Sequence, residues 1–373
     1  MAEFAEVNAL RLDLRQFRPR LPWWGGDLQT LRNYIMPPGN GLAARVAGER
    51  LDLPMTDGSG DRLIAALSRS PGGDARPLIV LVHGLTGCAD SVYMMRSAAH
   101  WLAVGHNVVR LNLRGAGASR ALCRNYYHAG RSQDLRDVIG ALDKRLAAPG
   151  VFLIGYSLGG NTAIKLLAES GPADLPGLIG AAVISAPLDL AATAHNLLRP
   201  RNRLYHRYLL TRLKAEALAP PAASDAAERR AVERAPSIIA FDDCFTAPRN
   251  GFADAQDYYA QNASARFLTA VARPLLVVHA FNDPWIPAAI YRARNWAANN
   301  YILPMLSAGG GHVGFHGQGD RTAWHDRCAT AFVTALAGQS VATPMSRPRT
   351  GGQAARPTLD ASATSFSRPL RTS

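Results

Sequence analysis

The 373-residue chain is expected to fold as an α/β protein with a mostly parallel central sheet flanked by helices and a helical cap insertion. Three observations carry this expectation. Short runs rich in Val, Ile and Leu alternate with stretches of helical period. One long interval holds no strand-like run. A Gly-Tyr-Ser-Leu-Gly stretch, residues 155–159, sits where a strand-like run meets a helical one.

Taken in chain order, the strand candidates are RLIAAL (62–67), LIVLVHG (78–84), NVVRLNLRG (107–115), VFLIG (151–155), AAVISAP (181–187), LLVVHA (275–280) and YILPML (301–306). They are too short for buried helices and rich in β-branched residues. Between them lie helix-period segments such as 90–105, 132–148 and 161–170. Strand alternating with helix places helices on both faces of a parallel sheet. From Leu188 to Ala272 the rhythm stops, and the stretch is polar, Arg-rich and helical in patches such as 204–218. The expected organisation is an N-terminal extension (1–20), a core in two parts (21–187 and 273–337), a cap between them (188–272) and a tail (338–373). The tail is Pro, Ser, Thr, Arg and Gly with few apolar residues, a composition expected to stay disordered.

Hydrophobic content of 48% and charged content of 18% fit a globular chain. The net charge is +13, of which the stretch from Val341 to Ser373 supplies +4 through five arginines and one aspartate. No dense basic cluster interleaved with aromatics appears in the body, so no nucleic-acid partner is expected. Cys88, Cys123, Cys244 and Cys328 stand far apart, which argues against a disulfide framework or a zinc site. Cys88 lies close to the HGLTG stretch, and a small buried filler is its simpler role, with lining a site as the alternative. The N-terminus mixes charges through its apolar positions, unlike a signal peptide. No stretch approaches about 18 uncharged apolar residues, so no membrane span and a cytoplasmic location are expected. Peripheral membrane contact stays open, as does the oligomeric state.

The serine between two glycines has a mechanical reading. A sharp turn from strand to helix needs minimal neighbours, and it projects the hydroxyl from the carboxyl end of the sheet. The free N–H groups of the following helix favour an anion there. Ser157 is therefore the candidate nucleophile. Serine needs a base, and the base needs an orienting acid. After such an elbow the chain order is acid, then histidine. Asp283 follows LLVVHA in a tight Asn-Asp-Pro turn, and His312 follows YILPML on a loop with three glycines before it. His316 and His325 compete with His312, the first as a pocket rim residue and the second as a surface or packing residue. His279, inside a strand, reads as a satisfied core histidine. Asp189, just past AAVISAP, competes with Asp283.

An oxyanion needs two N–H donors. The residue after the nucleophile, Leu158, supplies one, and Leu85 in HGLTG is placed for the other. His83 reads as a structural brace of that turn. Tyr156 and Trp285 are candidates for an apolar substrate pocket, with plain packing as the alternative.

These residues together resemble the α/β-hydrolase superfamily, and more narrowly its YheT-like branch. The resemblance covers roughly 20–337. It rests on LQT (28–30), HGLTG with SVYM (83–94), VVRLNLRGAGAS (108–119), YHAGRSQDL (127–135), GYSLGGN (155–161), FDDCFTAP (241–248), DYY (257–259), FNDPWIP and GGHVGF. It implies an α/β-hydrolase fold and a Ser157–Asp283–His312 triad. The family often has a histidine just before LQT, where this chain has Asp27. His128 and Asp134 resemble a His/Asp acyltransferase signature, but five residues intervene, so a structural role is expected. Eukaryotic members carry an N-terminal membrane anchor, which this sequence does not show. The expected activity is a serine carboxylester hydrolase on short- to medium-chain or lipid esters, with no metal or organic cofactor. An acyltransferase using the same triad and a non-catalytic binding module are the rival readings.

Overall fold

Eight strands form one sheet in the order β1-β2-β4-β3-β5-β6-β7-β8. The computed structural model describes residues 6–342 apart from 37, 222–224 and 320. The strands are β1 (Glu49–Pro54), β2 (Arg62–Ser68), β3 (Leu78–Val82), β4 (Val108–Leu111), β5 (Val151–Tyr156), β6 (Leu178–Ile184), β7 (Leu275–Ala280) and β8 (Ile302–Ser307). From β4 to β8 every pairing is parallel, while β1–β2 and β2–β4 are antiparallel. This is the α/β-hydrolase arrangement expected from the sequence. β1 has no counterpart among the expected strands. It is an edge strand and mostly exposed, so its residues lack the continuous apolar run that marks a buried strand.

Helices of eight residues or more are α1 (Gly25–Ile35), α2 (Val92–Ala103), α3 (Ser132–Ala141), α4 (Leu158–Glu169), α5 (Leu190–Leu197), α6 (Arg203–Leu218), α7 (Ala226–Arg234), α8 (Ala255–Asn262) and α9 (Trp324–Ala342). The periodic stretch 132–148 is broken after Ala141. Asp143 caps a separate turn there, its carboxylate accepting from the amides of Arg145 and Leu146. α4 starts directly after Ser157, three residues before the apolar periodicity does, because Gly159 and Gly160 weaken the sequence signal.

Strands β3, β5 and β7 are buried along their whole length. One face carries Met94 and Trp101 of α2 and Phe332 of α9. The other carries Leu135 of α3, Ile164 of α4 and apolar residues of the 188–272 segment. Each fully buried Leu, Ile or Phe here stabilises the fold by about 1.5–3 kcal/mol. The 188–272 segment is tied to the core by the Asn161 side chain, which donates to Asn262 and accepts from the Ser264 amide. Residues 7–20 run along the core: Val7 donates to Asn300, and Phe17 packs edge-on against Phe315 and Trp324. α9 continues past position 338 to Ala342, and the remainder of the expected tail lies outside the described residues.

Candidate active site

The sheet reverses its winding between β3 and β5, with β4 laid to one side of β3 and β5 to the other. A crevice opens at such a point beyond the carboxyl ends of the strands. Ser157, immediately after β5, stands there with φ 50° and ψ −119°, a conformation that L-residues rarely adopt. The turn is possible because its neighbours lack side chains. A Cβ on Gly155 would lie 2.6 Å from the Gly159 carbonyl oxygen, and one on Gly159 would lie 2.5 Å from that of His83.

His312 Nε2 lies 3.0 Å from Ser157 Oγ, and its Nδ1 lies 2.8 Å from Asp283 Oδ2. A carboxylate only accepts, so the proton sits on Nδ1 and leaves Nε2 free to take one from the serine. The second carboxylate oxygen of Asp283 accepts from the amides of Trp285 at 2.8 Å and Ile286 at 3.1 Å. Burial pushes the Asp283 carboxyl up. The field and hydrogen bond of the His312 ring, the His279 ring and the Trp285 amide outweigh it and hold the group below its usual range.

The turn after β3 has its amides assigned one by one. Gly84 donates to the Tyr93 hydroxyl at 3.0 Å, Thr86 to that of Tyr127 at 2.6 Å, and Gly87 to the Gly84 carbonyl at 3.1 Å. The Leu85 and Leu158 amides have no hydrogen-bond partner among the described residues. Both residues border the cavity that holds Ser157. His83 braces this turn: its Nε2 accepts from the Leu113 amide at 3.0 Å, so Nδ1 carries the proton and donates to Gly84. Burial pushes the His83 ring down to about 4, which keeps it neutral.

Two cavities meet at Ser157 and His312. One, of about 320 Å³, is partly polar and is bordered by Thr86, Cys88, Ser91 and Tyr208. The other, of about 90 Å³, is largely apolar and runs under the cap between Leu158, Leu190, Leu209, Leu213 and Ile238. Trp285 borders both, and its indole stacks on the His312 ring. Tyr156 borders the larger of these cavities but extends away from it. Its side chain is fully buried and its hydroxyl donates to Ser97 at 2.7 Å, because alternate residues of β5 face the opposite layer of the core.

The competing residues are occupied elsewhere. Asp189 caps α5 through the Ala192 amide. His316 receives Arg32 Nη1 on its Nδ1 at 3.2 Å, and its backbone is held by Gln29. His325 is buried on α9 beside Asp326. His279 is a core residue but not a satisfied one. It stacks on Tyr291 with centroids 3.6 Å apart, and neither ring nitrogen has a hydrogen-bond partner among the described residues. Asp134 does not meet His128. It forms a two-point contact with the fully buried Arg114, which also binds Asp61.

Several supporting residues had no legible role in the sequence. Thr30 Oγ1 accepts the His312 amide at 2.8 Å, and Gln29 Oε1 accepts that of His316 at 2.6 Å, so LQT fixes the histidine loop. Glu216 of α6 accepts from Tyr126 and Tyr127, which links the cap to the turn holding Leu85. Asp27 accepts from Arg201 and Tyr205, joining α1 to α6. Among the described residues no group of three His, Cys, Asp or Glu side chains converges to hold a metal ion.

This constellation on this sheet defines an α/β hydrolase, and the chain belongs to the alpha/beta hydrolase family, whose model matches residues 79–325. Within it the protein is YheT-like. It is 33% identical over 276 residues, 72% of this chain and 78% of the relative, to YheT of Escherichia coli K12, named provisionally as an esterase. It is 26% identical to phospholipase ABHD3 of Homo sapiens, across 86% of this chain and 79% of that one. An esterase of Pyrococcus furiosus shares the fold, with a TM-score of 0.54 at 14% identity over 87% of this chain and 99% of that structure.

Proposed function

We propose that this protein is a serine carboxylester hydrolase acting on short- to medium-chain acyl esters, lipid esters included. The observation that carries the reading is the continuous chain of hydrogen bonds from Ser157 Oγ through His312 to Asp283, with two unused amides beside it. Ser157 attacks the acyl carbonyl as His312 Nε2 takes its proton. Asp283 holds the imidazole tautomer and stabilises the imidazolium. The Leu85 and Leu158 amides take the tetrahedral oxyanion. His312 then protonates the departing alcohol, and water, deprotonated by His312, releases the acid and restores the serine.

The narrow apolar cavity suits a short acyl group, and the wider, partly polar one suits the alcohol portion. The esterase and phospholipase names of the relatives are consistent with ester substrates.

The test is turnover of p-nitrophenyl esters of rising chain length by the wild type and Ser157→Ala. The expected result is chain-length-dependent hydrolysis that falls on the order of a million-fold in kcat in the variant. No turnover together with no labelling of Ser157 by a fluorophosphonate would replace the reading with a binding module. A new ester as the main product when alcohol is added would replace it with acyl transfer.

A further inference from the structure

Among the described residues, the strongly exposed large apolar side chains all lie on two stretches, 21–36 and 198–208. Leu204 is 81% exposed, Leu21 63% and Trp24 59%. Scattered exposure of this kind is ordinary, but concentration on one face is not. The two stretches are neighbours. The Tyr34 and Tyr208 rings meet edge-on at 5.6 Å, and Asp27 is bound by Arg201 and Tyr205. Trp24, Leu28, Leu31 and Ile35 follow helical spacing, so they share one stripe of α1. Between α1 and α6 runs an apolar groove of about 510 Å³, bordered by Leu31, Tyr34, Leu204 and Tyr205, and it ends on Trp285.

The rim of this face is cationic. Residues 198–214 carry five arginines and one lysine with no acidic residue, and 20–36 add two arginines against Asp27 alone. On α6, Arg207 stands three residues from Leu204 and is exposed on the same side. Arg32, the one basic residue of α1, lies near Arg96, Arg20 and Arg321.

We propose that this face docks on the surface of an anionic phospholipid bilayer, with the α1 and α6 apolar residues in the interface and the arginines on lipid headgroups. An apolar centre with a basic rim is the amphipathic pattern that such surfaces bind. A second copy of this chain fits less well, since a two-fold contact would set the same arginines against one another. The groove then leads from the bilayer to Trp285 and His312 and delivers an acyl chain to Ser157. That delivery rests on the proposed esterase reading, whereas the docking does not.

The experiment is co-sedimentation of the full chain with vesicles of phosphatidylcholine alone and of equal parts phosphatidylcholine and phosphatidylglycerol. The wild type is expected to bind the anionic vesicles and to release them at high salt. Trp24→Glu and Ile35→Glu should each abolish binding while keeping the wild-type melting temperature and turnover of a soluble ester. Arg203→Gln and Arg207→Gln should each weaken partitioning about five-fold. Ser157→Ala should bind like the wild type. Vesicle binding without ester turnover would overturn the esterase reading and leave the docking intact. No binding, or equal binding to both vesicles, would overturn the docking, as would a wild-type dimer that Trp24→Glu dissociates in place of vesicle binding.

Discussion

The Trp285 indole lies on the His312 imidazole, with ring centroids 4.2 Å apart and planes 28° apart. The same residue donates its backbone amide to Asp283. One residue therefore holds both the acid and the face of the proposed base, and small misplacements of such groups are expensive. Trp285→Ala should lower kcat on a soluble ester by about 10- to 100-fold. Trp285→Phe keeps a stacking ring and should recover most of that loss. An effect confined to KM would show that the indole only walls the cavity.

Asp283 accepts from two amides and the His312 ring, so it stays ionised well below neutral pH. Asp283→Asn keeps the shape but presents no full charge to Nδ1 and can favour the wrong tautomer. A fall of about 10⁴-fold in kcat is expected, with the fold intact by circular dichroism. Retained activity would transfer the acid role to another carboxylate.

Three buried histidines and the half-buried His128 are held neutral, with His83 and His279 pushed down to about 4, His128 to about 3 and His316 to about 2, in each case first by burial. Their ordinary value is 6.5, so below that pH the unfolded chain binds more protons than the folded one. Stability should therefore fall as pH drops from about 6.5 towards 4, each histidine contributing up to about 1.4 kcal/mol per pH unit. His279→Phe removes one of these groups along with two unpartnered nitrogens and keeps the stack on Tyr291. It should leave stability unchanged or higher at pH 5 and reduce proton uptake on unfolding by about one. Melting temperatures across that range check both statements.

Arg114 is wholly buried and binds Asp134 through two nitrogens and Asp61 through a third. Removing it strands two buried carboxylates. Arg114→Met should cost about 3–5 kcal/mol, read as a lower urea midpoint. A change below about 1 kcal/mol would mean that water replaces the guanidinium.

The sheet was legible because its strands are buried on both faces and so appear as unbroken apolar runs. The edge strand β1 was not, since four of its six residues are exposed. The elbow was legible because its chemistry is local: two glycines, a serine and a strand-to-helix joint lie within five residues. Asp283 and His312 were legible through chain order and strand ends. Thr30 was hidden, since it holds the amide of a residue 282 positions away. Glu216 and Tyr127 were hidden for the same reason, lying 89 positions apart. Nothing in local spacing marks such pairs.

By itself, then, the sequence determined the class of fold, the strained serine turn and the kinds of group that could activate it. Those follow from short-range sterics and periodicity. The tertiary structure alone decided that Asp189 caps a helix and that the Tyr156 side chain faces the opposite layer of the core. It also brought the apolar stripes of α1 and α6 together beside the site. Each of these depends on how distant segments pack, and packing is set by the whole core at once.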